Sequence, residues 1–76
     1  KPYRLYIWRE SKYRPGIPND LSELPQIIRA VCDEEATELA TERASDALIW
    51  QLYDGDAMNA NTKQVASKHQ PHEKTN

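Results

Sequence analysis

"QIIRAVCDEEATELATERA", residues 26–44, can be read as one long helix or as a strand followed by a helix. Read as one helix, its apolar stripe of Ile27, Ile28 and Val31 would continue through Glu35, Glu38, Glu42 and Asp46. A buried stripe does not turn acidic halfway along. A break near Asp33 resolves the conflict and predicts a strand over 26–32 and a separate helix over about 34–44. Asp33 is then the expected N-cap, with Glu34 and Glu35 in the first turn, where the helix dipole favours acids. Ala36, Leu39, Ala40 and Ala44 share one narrow face. Such small residues suit a helix lying close on a sheet, and Arg43 sits in the last turn, where a cation helps.

Working outward, "YRLYIWRE" at 3–10 is the clearest strand. It is rich in β-branched and aromatic residues and alternates. Tyr3, Leu5 and Ile7 form the expected core side. Arg4, Tyr6, Trp8 and Glu10 point the other way, an unusually aromatic set for a solvent face. "SKYRPGIPNDLSELP" at 11–25 reads as a long loop, punctuated by Pro15-Gly16, Pro18, Asn19-Asp20 and Pro25. Loops of that length in small domains are functional or disordered. Asp20 and Glu23 are spaced to cap a short helical turn.

"DALIWQLYDGD" at 46–56 is apolar all round as a helix. As a strand it sends Leu48, Trp50 and Leu52 to one side and Ala47, Ile49, Gln51 and Tyr53 to the other. The strand is the preferred reading, closed by Asp54-Gly55-Asp56. A buried helix with Gly55 at C′ is the alternative. Residues 57–76 are polar and lack periodicity. They read as a tail with at most a weak turn around Thr62–Ser67, and removing 63–76 is expected to leave stability nearly unchanged. The expected fold is therefore α+β, in the order β-β-α-β. Residues 1–56 form one domain, a three-stranded sheet with one helix on one face, and 57–76 a polar, flexible tail.

A chain of 76 residues buries only about 60–65% of its unfolded surface. A core this small often gains stability from a partner chain, so a homodimer is open. No apolar run approaches the ~20 residues of a membrane helix, and no signal peptide or membrane contact is expected. Cys32 is the one cysteine, which excludes an internal disulfide and a four-cysteine zinc site. It favours a reducing, cytoplasmic setting.

The net charge of −2 hides an asymmetry. Lys1, Arg4, Arg9, Lys12 and Arg14 stand against Glu10 alone at the start. Residues 19–56 carry ten acids against Arg29 and Arg43. Either both faces are merely solvated, or one of them meets a charged partner.

Catalytic chemistry finds no support, and no cofactor is expected. Asp33, Glu34 and Glu35 beside Cys32 would raise a thiol pKa, away from a reactive thiolate; a buried structural cysteine is the preferred reading. The carboxylates of 33–42 need no acid–base role. Gly16 and Gly55 are the only glycines, which excludes phosphate-cradling loops. His69 and His72 with Glu73 fall short of four converging zinc ligands. Asp54, Asp56, Asn59 and Asn61 outline a calcium loop, but Met58 stands at a ligand position and no closing glutamate follows. No metal site is expected.

Binding is the better-supported class. Arg4, Tyr6, Trp8, Arg9, Tyr13 and Arg14 interleave cations with rings, the composition of protein interfaces. Single-stranded nucleic-acid platforms share that composition, although the overall acidity argues against it. Glu34, Glu38 and Glu42 repeat at i, i+4 and i+8, a spacing that mildly destabilises a helix. Docking on a basic partner would compensate. In size and element order alone, the chain is similar to small phage-encoded proteins that shut off a bacterial host enzyme or defence complex. That resemblance implies a non-enzymatic protein that docks a larger macromolecule, here most readily a protein, with a single-stranded nucleic acid as the alternative.

Overall fold

The computed structural model describes residues 1–55 and 63–69. It is an α+β arrangement of one helix and an antiparallel sheet. The strands are β1 (Pro2–Trp8), β2 (Gln26–Arg29), β3 (Ile49–Asp54) and β4 (Gln64–Lys68), with helix α1 (Asp33–Arg43) between β2 and β3. The spatial order is β2-β1-β3-β4, so β1 lies inside the sheet and β2 and β4 form its edges.

The alternation read in β1 holds. Tyr3, Leu5 and Ile7 are buried and meet Ile28 of β2 and Trp50 and Leu52 of β3 on the same face. Helix α1 covers that face. Ala36 and Ala40 lie against the sheet and Ala44 follows at the helix end. These side chains are too small to hold the helix axis away, and Leu39 packs beside them. The break expected near Asp33 is present, and 26–29 is a strand.

Four expectations are corrected. The sheet has four strands, because Gln64–Lys68, within the stretch read as a tail, pairs with β3: Leu52 faces Ala66 and Trp50 faces Lys68. Its polar side chains hid it, since only Val65 and Ala66 reach the core. Cys32 is exposed rather than buried. It occupies the N-cap and makes no side-chain capping bond. Asp33 is the first helical residue, and its carboxylate accepts the Tyr3 hydroxyl at 2.8 Å instead of a helix N–H. The turn expected between Asp20 and Glu23 is not helical. Glu23 donates its N–H to Ile7 O at 2.8 Å and pairs its carboxylate with Arg9.

At the far end of β3, Gly55 has φ +93°, a region that disfavours any side chain. Its N–H reaches Pro2 O at 2.9 Å, which extends the β1–β3 ladder by one pair. The remainder of the Asp54-Gly55-Asp56 turn, and Met58, Asn59 and Asn61 of the calcium-loop reading, lie outside the described residues, as do His72 and Glu73.

Candidate functional surfaces

The face of the sheet away from α1 carries Arg4, Tyr6 and Trp8 from β1. Across the β1–β3 ladder, Arg4 faces Tyr53, Tyr6 faces Gln51 and Trp8 faces Ile49. Arg4 is only 5% exposed. Its guanidinium carbon lies 5.6 Å from the Tyr6 ring centre and 5.3 Å from that of Tyr53. Those rings meet edge to face at 5.6 Å. Nη1 donates to the Tyr6 hydroxyl at 2.6 Å and Nε to Gly55 O at 3.3 Å. Quadrupole attraction from two partly desolvated rings helps keep this cation at low exposure. Tyr53 in turn donates to Gln51 and accepts from Gln64. The side chains of this face thus shield it themselves. Arg4 is part of the packing and not a free charge at the rim of a patch, and truncating it would disturb the fold before it disturbed any partner.

Arg9 is also held internally. It bonds Glu23 at 2.7 Å and also pairs with Asp46. Asp46 and then Glu23 push its pKa further up from an already high value. These contacts tie the loop following β1 to the α1–β3 connection. Beyond Arg9 the chain makes a small hairpin instead of an irregular loop. Glu10 bridges Pro18, Asn19 N–H reaches Arg9 O at 2.9 Å, and Ser11 N–H reaches Ile17 O at 2.7 Å. The turn is closed by Ile17 N–H on Arg14 O and by the Glu10 carboxylate on Gly16 N–H, with Gly16 at φ +81°. At the tip stand Lys12, Tyr13 and Arg14, all exposed. Tyr13 is 87% exposed, and Arg14 has a loose ion pair with Asp20 at 3.8 Å.

The residues singled out in the sequence therefore separate into three places. Arg4, Tyr6 and Trp8 lie on the sheet, Arg9, Tyr13 and Arg14 on the hairpin, and Glu34, Glu38 and Glu42 along the solvent side of α1. Sequence reasoning missed another group. Every large apolar side chain that is exposed among the described residues falls between positions 13 and 31: Tyr13, Ile17, Leu21, Leu24, Ile27 and Val31. Leu21 and Leu24, apolar residues inside a proline-rich loop, were the available signal.

Lys1, Asp33, Asp54 and Tyr3 form a polar knot where β1, α1 and β3 meet. Lys1 Nζ lies 3.3 Å from Asp54 and 3.7 Å from Asp33. The Tyr3 hydroxyl, followed by the charge of Lys1, holds the Asp33 carboxyl below its ordinary value. Burial, then the bond to Asp33, pushes the Tyr3 phenol up. The carboxylate works as an anchor between strand and helix. Among the described residues no three His, Cys, Asp or Glu side chains group to hold a metal. No helix there is long and apolar enough to cross a membrane. No family model, curated protein or solved structure matches this chain.

Proposed function

We propose that this protein is a non-enzymatic docking module that engages a larger protein through the tip of the 9–19 hairpin. One observation carries the reading: Tyr13 stands almost fully in solvent between Lys12 and Arg14, on a turn whose base is hydrogen-bonded and clamped by Arg9. An aromatic ring with cationic neighbours on a pre-ordered turn offers large contact area at small ordering cost. Tyrosine and arginine are the residue types that dominate interface energies. The partner chemistry it fits is a pocket wide enough for a ring with carboxylates at its rim. Inhibition of a host enzyme or defence complex by occlusion, inside a reducing cytoplasm, agrees with the small size of the chain and its single exposed thiol.

The test is photocrosslinking from position 13 in an extract of the source organism, with purified partner affinity measured for Tyr13→Ala and Arg14→Ala. A protein captured by the native sequence and bound at least about 30-fold more weakly by Tyr13→Ala, with an unchanged circular dichroism spectrum, is the expected result. Unchanged affinity would move the site to Glu34, Glu38 and Glu42. Retention of single-stranded oligonucleotides that falls steeply with salt and disappears in the same variants would establish the nucleic-acid reading instead.

A further inference from the structure

Ala30 N–H bonds Lys1 O at 3.0 Å. This fixes the phase of the β1–β2 ladder: Gln26 and Ile28 turn their main-chain groups toward β1, and Ile27 and Arg29 turn theirs outward. Those two residues have no main-chain partner among the described residues. The open row is bounded at both ends. Pro25 has no N–H, and the N–H of Val31 is already taken by the Glu35 carboxylate at 2.8 Å. Two N–H and two C=O groups are left, flanked by Leu24 at 90%, Ile27 at 42% and Val31 at 83% exposure. An unpaired edge with apolar flanks is a template for another strand.

We propose that the chain forms a two-fold dimer in which β2 pairs antiparallel with β2 of a second copy, joining the two sheets into one of eight strands. Placing Ile28 on the dyad sets Ile27 of each copy opposite Arg29 of the other. All four outward groups of each strand then find partners, in four hydrogen bonds. Moving the dyad to Ile27 sets Arg29 against Pro25, which has no donor. Moving it to Arg29 sets the two arginines against each other and Ile27 against the occupied Val31. Only the first register uses the whole edge.

Charge selects a second copy over an unrelated strand. Arg43 lies by Gln26, with its Nη1 3.3 Å from the Gln26 side-chain oxygen, while Glu35 lies by Val31. In the Ile28-centred register Gln26 of one copy stands opposite Ala30 of the other. Arg43 therefore meets Glu35 across the dyad, twice. Val31 of each copy is also brought opposite Pro25 and next to Leu24 of the other. A two-fold contact of this type closes on itself and leads to no further growth.

The test is sedimentation equilibrium on the whole 76-residue chain from about 1 µM to about 1 mM, the range that brackets weak to moderate association. The expected mass rises toward twice the chain mass. Arg29→Pro removes an outward N–H that the β1 ladder does not use, and should weaken the dimer about 30-fold through the loss of two of its four hydrogen bonds. Arg43→Glu and Glu35→Arg should each stay monomeric alone and dimerise when mixed, because only the mixed pair restores both ion pairs. Misfolded variants would not rescue one another. A single-chain mass at every concentration overturns the proposal, and so does a dimer indifferent to these three substitutions. Tyr13 takes no part in this contact, so the outcome is independent of the hairpin reading.

Discussion

On one side of the sheet β4 shows solvent Gln64, Ser67 and Lys68; on the other β2 shows it Ile27, with Leu24 and Val31 beside it. Both strands are short, antiparallel and outermost. β4 carries familiar protections of an edge: a register shift against Leu52 and Tyr53, a lysine, and polar side chains turned outward. Lys68 and Gln64 also bond back to Ala47 O and the Tyr53 hydroxyl, so the polar groups of this edge bind the domain's own residues. β2 is regular where it is open, and its protection is limited to Pro25, Arg29 and its length of four residues. An edge is thus defined by its side chains as much as by its main chain. One of these is guarded by its polar side chains, and the other is flanked by exposed apolar ones.

The largest effect expected is from loss of the guarded edge, β4. Deleting 63–76 removes the pairs that Leu52 and Trp50 make with β4 and takes Val65 and Ala66 off the core. Urea unfolding should show a loss of about 3 kcal/mol, from the ladder hydrogen bonds and the apolar area together. An unchanged midpoint would return β4 to the status of a tail.

A smaller effect separates the two edges directly. Val65→Ser should cost about 1 kcal/mol, because Val65 packs on the core. Ile27→Ser, measured at low micromolar concentration, should stay within about 0.5 kcal/mol, as at other exposed sites. Equal losses at the two positions would mean that the edges do not differ as described.

The smallest effect concerns the knot that ties α1 to β1. Asp33 is held below its ordinary 3.8, chiefly by the Tyr3 hydroxyl. A depressed carboxyl contributes stability that is present above its unfolded value and lost as pH falls through the folded one. Tyr3→Phe removes the main cause of that depression. The variant's stability should therefore fall less steeply than the native protein's below pH about 4, when urea midpoints are compared from pH 2 to 7. Parallel acid limbs would show that the bond does not persist in solution.

Much of this architecture is readable from periodicity. The break at Asp33, the core triplet Tyr3, Leu5 and Ile7, the alanine face of α1 and the strand through Trp50 and Leu52 all follow from alternation or helical spacing, because each buries one side. β4 is not readable in that way: a strand that contributes only Val65 and Ala66 to the core has no apolar rhythm. Asp33 looked like an N-cap because local rules see the helix start and not Tyr3, thirty residues earlier. Arg4 looked exposed because nothing in "YRLY" shows that Tyr53 will lie opposite it. Tyr13 was visible as part of a basic aromatic stretch, but its separation from Arg4 and Arg9 depends on ion pairs and packing that span the chain. The exposure of Leu24 and Val31 is a property of the finished sheet, so composition alone did not reveal it.

The position of β1 also bears on how quickly the chain can find its shape. Its partners are residues 26–29 and 49–54, and the second pairing joins Tyr3 to Asp54. No hairpin of neighbouring strands can nucleate the centre of this sheet. Leu5 and Leu52 stand some fifty residues apart in sequence, and the entropy of bringing them together is lost before the contact is gained. Folding should therefore take milliseconds to seconds rather than microseconds. Until β3 arrives, β1 and β2 form an isolated pair, which at this size is marginal in water. During synthesis the first half of the chain would emerge with Tyr3, Leu5 and Ile7 still uncovered, and would rely on the second half to bury them.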